Sequence, residues 1–235
     1  MVTKKGTKKP AKKGAKGNAK GPGMPKATTK TEKMDLKKMY PNHYKATTEP
    51  QLVDIGVGNY IAIEGQGPPM GKEFQEAVQA LYSIAYGVKM RSKFKEGKDY
   101  TMAALEGLWW ADRTVEELEN NFGNIPKEEW KWKALIRQPE FITTEQVERA
   151  KTEAFEKKGL VAVKRVNLEK IDEGKSVQIL HIGPYANEKE SIDRLRAFMK
   201  ERGLNVAGHH HEIYLSDPRR VAPEKNRTIL RTPVK

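Results

Sequence analysis

The feature that most constrains the fold of this chain is an internal repeat. Three segments of the first half have counterparts, in the same order, in the second half. The pairs are YIAIEGQGPP with VQILHIGPYA, LEGLWWAD with HHEIYLSDP, and EWKWKALIRQP with RTILRTP. Two such units can place their helices on one face of an antiparallel sheet. The sequence therefore predicts an α+β fold of duplicated β–α–β–β units, over about residues 50–140 and 160–235, with pseudo-twofold symmetry and a central ligand cleft.

Periodicity and capping patterns place the elements within this frame. Helical spacing of apolar residues over 72–86 predicts a helix, and alternation of apolar and charged residues over 128–138 predicts a half-buried strand. Capping boxes predict three further helices, because Ser, Thr or Asn followed three residues later by Glu or Gln marks a helix start. They are Thr114 with Glu117, ending near Gly123; Thr143 with Gln146, running to Gly159; and Asn187 with Glu190, ending at Gly203.

The positive charge of the chain is concentrated at its N-terminus. Ten of the 44 basic residues fall within residues 1–30, which hold no acidic residue, so residues 31–235 carry 34 basic and 31 acidic residues. A lysine-rich segment with almost nothing to bury predicts a disordered tail, placed over residues 1–34. Such a tail could make weak, salt-sensitive, non-specific contacts with nucleic acid. Because no aromatic residue interleaves the lysines, a solubilising tail without a dedicated partner is the other interpretation.

Several classes of site and location are disfavoured by composition. The chain has no cysteine, and therefore no disulfide or thiolate site. It shows no run long enough to span a bilayer and no signal-peptide pattern, so a cytoplasmic protein without membrane contact is expected. The run His209–His211 lacks a supporting ligand at a suitable spacing, and GQGPPMGK lacks the spacing of a phosphate loop. No metal and no cofactor are expected.

The stretch HHHEIYLSD contains the strongest candidate residue. Strand alternation places Glu212 and Tyr214 on one face. A glutamate followed by Ile-Tyr-Leu is expected to be sheltered, which would raise its pKa and suit a general base. A solvated or ion-paired glutamate is the structural alternative. Alignment of the repeats matches Glu212 with Glu106, which shares a strand face with Trp110.

Aromatic residues supply the rest of the predicted site. Trp109 and Trp110 are adjacent, so a regular strand directs them to opposite faces, and at least one is expected to touch a ligand. Tyr185 lies in HIGPY, at a strand-to-helix turn from which its hydroxyl could reach the cleft, unless it only packs the turn. Tyr82 and Tyr86 lie four residues apart on one helix face, where they belong either to the core or to the ligand site.

The motifs together resemble one known family. They are GNYIAIEGQGPP, FQEAVQALYSIAYGVK, LEGLWWAD, HIGPYANEKESIDRLRAFMKERGL and HHEIYLSDPRRVAPEKNRTILRTPVK. In this combination, over residues 35–235, the chain resembles the GyrI-like small-molecule-binding family, and within it the free-standing branch with an EGLWW motif. The resemblance implies a duplicated domain whose cleft binds bulky aromatic or cationic molecules. Family members often have an Asp-Pro-Asn-like turn where this chain has GPPMG, so the rim of the cleft differs.

Two functions of different classes follow from this resemblance. The EGLWW branch resembles hydrolases that open the strained cyclopropane of DNA-alkylating cyclopropanoids, which would make the protein a detoxifying enzyme. Glu212 and Tyr185 are then the expected catalytic residues, and Trp109, Trp110, Glu106, Tyr214, Tyr82 and Tyr86 the expected ligand contacts. The alternative is a non-catalytic binder or sensor, in which a carboxylate among aromatic rings holds an organic cation. The sequence leaves open whether the protein is an enzyme.

Overall fold

The computed structural model describes Thr3 and residues 33–69, 71–114 and 125–235. Contacts divide the chain into residues 1–30 and residues 31–235, and the helices and strands described below lie in the second unit. The predicted tail lies almost entirely outside the described residues, and so does the short helix predicted to follow Thr114.

Eight strands and five α-helices make up the described part of the second unit. The strands are β1 (Gln51–Ile55), β2 (Gly58–Gln66), β3 (Leu105–Trp110), β4 (Lys131–Gln138), β5 (Asn167–Ile171), β6 (Gly174–Ile182), β7 (His210–Tyr214) and β8 (Arg227–Pro233). The helices are α1 (Leu36–Met39), α2 (Pro41–Tyr44), α3 (Lys72–Lys95), α4 (Thr144–Lys158) and α5 (Glu188–Glu201).

All eight strands form one antiparallel sheet, in the order β1-β6-β8-β7-β3-β4-β2-β5. The two halves meet at its centre, where β3 pairs with β7. Each half also gives its first strand to the other half, since β1 pairs with β6 and β5 pairs with β2. This symmetric order confirms the duplicated α+β fold. Each unit has one more strand than predicted, because two strands precede its long helix instead of one.

The long helices of the two halves cover the same face of the sheet, called the helical face below. Helix α3 lies over β2 and β4, and α5 lies over β6. Beneath α3, Trp132, Ala134 and Ile136 are fully buried, as predicted. Leu135 and Arg137 on the other face are buried as well, so β4 is not the half-buried strand that was expected. Beneath α5, Ile179 and Leu230 are fully buried. Removing one such aliphatic side chain typically costs about 2–5 kcal/mol, so these two clusters fix both helices on the sheet.

The other face of the sheet, called the opposite face below, is partly covered by the short helices α1 and α2. Asp35 caps α1 by accepting a hydrogen bond from the Lys37 backbone N–H at 3.0 Å. Pro41 occupies the first turn of α2, where a missing N–H costs nothing. These helices bring His43 and Tyr44, both buried, under the centre of the sheet.

Helix ends follow the predicted signals in one case and depart from them in another. Thr143 and Gln146 form both hydrogen bonds of a capping box, and α4 ends at Gly159 with φ of 64°, a left-handed conformation that suits glycine. Asn187 precedes α5 but forms no capping hydrogen bond through its side chain, so the predicted capping box at this helix is wrong.

Within the described residues, no helix is both long and apolar enough to cross a membrane.

Candidate active site

The pairing register of the two central strands decides which side chains can meet. In an antiparallel pair, directly opposed residues point to the same face. Gly107 is opposed to Glu212, and Trp109 to His210, all on the helical face. Because α3 lies over β2 and β4, and α5 over β6, the strands β3 and β7 lie between the two helices. Their helical-face side chains lie where the two repeats meet, between α3 and α5, and this region of the sheet is called the cleft below.

Aromatic side chains are joined across this cleft. Trp109 is 3% exposed and packs against Phe74 of α3, with 5.4 Å between ring centroids and the rings tilted by 35°. Its Nε1–H donates to the Tyr214 oxygen at 3.1 Å. A Cβ atom at Gly107 would lie 2.8 Å from Trp109 Nε1 and 3.1 Å from the Tyr214 oxygen. The glycine of the EGLWW motif is therefore required for the close approach of the two rings. Trp109 thus supports the cleft from the core.

Tyr185 enters the cleft from the turn between β6 and α5. Its ring lies 6.1 Å from that of Tyr214 at an angle of 86°, and 41% of the residue is exposed. His181 holds this turn, with Nδ1 3.0 Å from the Ser191 hydroxyl and Nε2 3.2 Å from the Pro184 carbonyl oxygen. Tyr185 therefore lies next to Tyr214 with its ring partly accessible, and its contact with a ligand stays a prediction.

Glu212 lies beside these rings. Its side chain is 17% exposed, and Oε1 lies 3.6 Å from Nε2 of His210, its neighbour on the same strand face. Burial and the adjacent Glu212 carboxylate raise the pKa of the Tyr214 phenol well above its ordinary value. Tyr214 is therefore a neutral hydroxyl at neutral pH, while Glu212 is a partly sheltered carboxyl group in the cleft.

A second carboxyl group, Glu188, lies in the same cleft and was not predicted. It is the first residue of α5, is 8% exposed, and its Oε1 is buried without a hydrogen-bond partner among the described residues. Burial, and then the charge of Glu212, raise the pKa of Glu188 to about 9. The sequence does hold a signal for it. Glu188 shares the buried helical spacing of Ile192, Leu195 and Met199, which marks it as inward-facing.

Glu106 and Trp110 do not belong to the cleft, which corrects the prediction for both. Glu106 is opposed to Ile213 and points to the opposite face, so its predicted equivalence with Glu212 is wrong by one residue of register. Trp110 shares that face and stacks on His209, with centroids 4.4 Å apart and an interplanar angle of 15°.

Glu106 instead belongs to a buried ionic cluster. Its Oε2 lies 2.9 Å from His43 Nε2 and 3.1 Å from His211 Nε2. His211 Nδ1 lies 2.8 Å from Glu173 Oε1, and Arg231 donates to Glu173 Oε2 at 2.7 Å. All five side chains are at most 5% exposed. The cluster joins α2, β3, β7, β8 and the turn before β6, so we assign it a structural role.

The protonation states within this cluster follow from its charges. Although burial opposes it, the Glu173 and Glu106 carboxylates raise the pKa of His211 to about 9. Burial lowers the pKa of His43, and this effect outweighs the Glu106 carboxylate, which acts to raise it. Against burial, the neighbouring imidazoles His43 and His211 hold the pKa of Glu106 far below its ordinary range. The cluster at neutral pH therefore contains two carboxylates, the His211 imidazolium, the Arg231 guanidinium and a neutral His43.

Tyr86 also lies away from the cleft, on a surface groove between α3 and α4. This groove, of about 730 Å³, is lined by Tyr82, Tyr86, Met90 and Phe94. It lacks the pair of carboxyl groups that the cleft holds. Tyr82 also lies close enough to Asp217, after β7, for that charge to act on its phenol. Tyr86, which is 51% exposed, is thus a surface residue and not a cleft residue.

The three consecutive histidines lie in different surroundings. His209 stacks on Trp110, His210 lies beside Glu212, and His211 belongs to the buried cluster. No group of three His, Asp or Glu side chains in the described parts of the chain is arranged to hold a metal ion.

The protein has a duplicated antiparallel sheet, with acidic and aromatic side chains in the cleft where its repeats meet. These features are typical of small-molecule-binding α+β domains. The chain belongs to the GyrI-like small-molecule-binding domain family, whose model matches residues 135–235. Over most of its length the chain is similar to an uncharacterized conserved protein from Listeria innocua, which is 38% identical, with a TM-score of 0.79 over 86% of this chain and 100% of that chain.

Two further structures extend the comparison. A protein from Listeria innocua described as a hydrolase is 37% identical, with a TM-score of 0.74 over 86% of this chain and 100% of that chain. The C-terminal domain of EcmrR is 11% identical, with a TM-score of 0.52 over 80% of this chain and 97% of that chain, and shares the fold alone. No curated protein matches the sequence significantly.

Proposed function

We propose that the protein is a hydrolase that opens the cyclopropane ring of flat, aromatic, DNA-alkylating cyclopropanoids within the cleft. The observation that carries this proposal is the position of Glu212, a partly sheltered carboxyl group beside the ring of Tyr214 and the accessible ring of Tyr185. The Listeria innocua protein described as a hydrolase, at 37% identity over its full length, supports hydrolysis as the type of reaction.

Each cleft residue has a role in this reaction. The exposed ring of Tyr185 offers a stacking surface for a planar substrate, and Tyr214, held by Trp109, limits how deeply the substrate can enter. Glu212 accepts a proton from the water that attacks the strained ring. A positioned general base typically contributes about 10²–10⁴-fold in rate, and relief of ring strain supplies driving force.

Binding of an organic cation without turnover is the second candidate function. It is favoured by the same carboxyl group among aromatic rings, because a cation gains both from a carboxylate and from the faces of tyrosine rings. A protein of this kind would sequester or sense its ligand. The two candidates differ in whether product accumulates beyond the amount of protein.

Turnover is therefore the deciding experiment. A cyclopropanoid is incubated with a hundredth of its molar amount of protein, and the water adduct is followed by mass spectrometry. We expect many turnovers per protein molecule, a loss of about 10²-fold or more in Glu212→Gln, and wild-type rates in the exposed control Glu190→Gln. Product that never exceeds the protein concentration would exclude catalysis and leave the binder.

A further inference from the structure

We propose that Glu188 is a second catalytic residue, a general acid that shares one proton with Glu212 and delivers it to the substrate oxygen on which negative charge develops. This inference rests on the proposed hydrolysis and names the feature its substrates must share. They must carry a carbonyl conjugated to the strained ring, so that the electrons of the broken bond end on an oxygen within the cleft.

Three structural observations support this role. Glu188 begins α5, which packs on β6 through a cluster that includes Leu195 and Met199, so the backbone of Glu188 is fixed relative to the sheet. Its Oε1 is buried yet has no partner among the described residues, which is costly unless a ligand or a proton satisfies it. Glu212 on β7 lies close enough for its charge to act on Glu188, and Glu188 in turn acts on the phenols of Tyr185 and Tyr214.

The charges around Glu188 favour its protonated form. Burial and the Glu212 carboxylate both raise its pKa, to about 9, and the phenols of Tyr185 and Tyr214 bring no positive charge. The N-terminal end of α5 acts in the other direction, since the dipole of a helix favours an anion at its N-terminus. Because the charge of Glu212 acts on the buried Glu188, the two carboxyl groups do not both ionise easily, and the pair holds one proton at neutral pH.

The proposed step balances in atoms and electrons. The oxygen of water attacks the cyclopropane CH₂ and forms a C–O bond, while one ring C–C bond breaks. The electron pair of that bond moves through the conjugated ring to the carbonyl oxygen, which takes the proton of Glu188 and becomes a hydroxyl group. Glu212 accepts the proton lost by water. The product is substrate plus one water, and transfer of the proton from Glu212 back to Glu188 restores the starting state.

The test compares Glu188→Gln with Glu190→Gln, an exposed residue in the same first turn of α5. The amide that replaces the Glu188 carboxyl group cannot deliver a proton, so kcat should fall by about 10²-fold with little change in KM, while the control keeps wild-type values. Wild-type kcat should fall as pH rises through about 9, because Glu188 then loses its proton, and this alkaline decline should be absent in the variant. Unchanged kcat together with an unchanged alkaline decline would overturn the role of Glu188 alone.

A second measurement does not depend on turnover or on the stability of the variant. Infrared spectra of the wild-type protein at pH 7 should contain the C=O stretch of a protonated carboxylic acid that disappears as pH rises through about 9. Absence of that band in the folded wild-type protein would overturn the shared proton. A band without any wild-type turnover would instead overturn the proposed hydrolysis, and with it the catalytic use of the proton.

Discussion

The two carboxyl groups Glu106 and Glu212, on adjacent strands but opposite faces, give a direct test of the structure. Glu106→Gln removes the negative charge from a fully buried group that lies 2.9 Å from His43 and 3.1 Å from the His211 imidazolium. Its third partner, the Tyr44 hydroxyl, donates to Glu106 Oε1 at 3.1 Å. The substitution therefore leaves a buried positive charge with one counter-ion fewer.

The expected loss of stability is large. Breaking a buried ion pair by removing one partner costs about 3–5 kcal/mol. For a domain of this size, 1 kcal/mol shifts Tm by about 2–4 °C, so Glu106→Gln should lower Tm by roughly 6–20 °C. Glu212→Gln, at a side chain that is 17% exposed, should change the free energy of unfolding by about 1 kcal/mol or less.

The assay combines thermal unfolding with turnover below the Tm of both variants. Glu106→Gln should be destabilised yet retain kcat, and Glu212→Gln should be stable yet inactive. A Glu106→Gln variant as stable as wild type would show that the buried cluster does not hold the fold. A stable Glu106→Gln variant without activity would refute the assignment of the two residues to opposite faces.

Three further outcomes are expected. Gly107→Ala should reduce turnover and lower the free energy of unfolding by about 1–3 kcal/mol, because the new Cβ would lie 2.8 Å from Trp109 Nε1. The control Gly56→Ala, whose Cβ would have nothing within 4 Å, should be neutral. Unfolding and activity assays on both variants check this. The pKa of His211 is raised from 6.5 to about 9, which corresponds to about 3 kcal/mol of stabilisation of the folded protein. This stabilisation is fully present below pH 6.5 and is lost as pH rises through about 9. Denaturant titrations should show this decline in the wild-type protein but not in His211→Gln. Removal of residues 1–30 should leave Tm within about 1–2 °C, and a larger fall would mean that the tail packs on the domain.

The long helices and most strands could be predicted from the sequence because their signals are local, whereas the extra strand of each unit and the short helices α1 and α2 were missed. A capping box such as Thr143 with Gln146 acts within one turn, and the alternation that places Trp132 inward acts within one strand. The internal repeat predicted that the two halves have the same arrangement of elements. None of these signals required knowledge of how distant strands pair.

The site was predicted less completely, because its composition depends on register and on distant contacts. Matching Glu106 to Glu212 followed the similarity of the letters around them, and a shift of one residue in an antiparallel strand reverses the face. The partners of Glu106 include His43 and His211, which are separated by most of the chain, so no sequence pattern joins them. Glu188 differs from these, since its helical spacing with Leu195 is a local signal that indicates an inward-facing side chain.

The exchange of edge strands between the two repeats has a consequence for how the domain forms during synthesis. Gln51 of β1 is opposed to Gln178 of β6, so the N-terminal half cannot complete its sheet until a segment more than a hundred residues later has left the ribosome. Pairings between such distant residues slow folding, because a long loop must close before the contacts stabilise it. Until then the N-terminal half exposes an unpaired strand edge of the kind on which chains aggregate. The duplicated halves are therefore one cooperative unit, and neither is expected to persist as an independent domain.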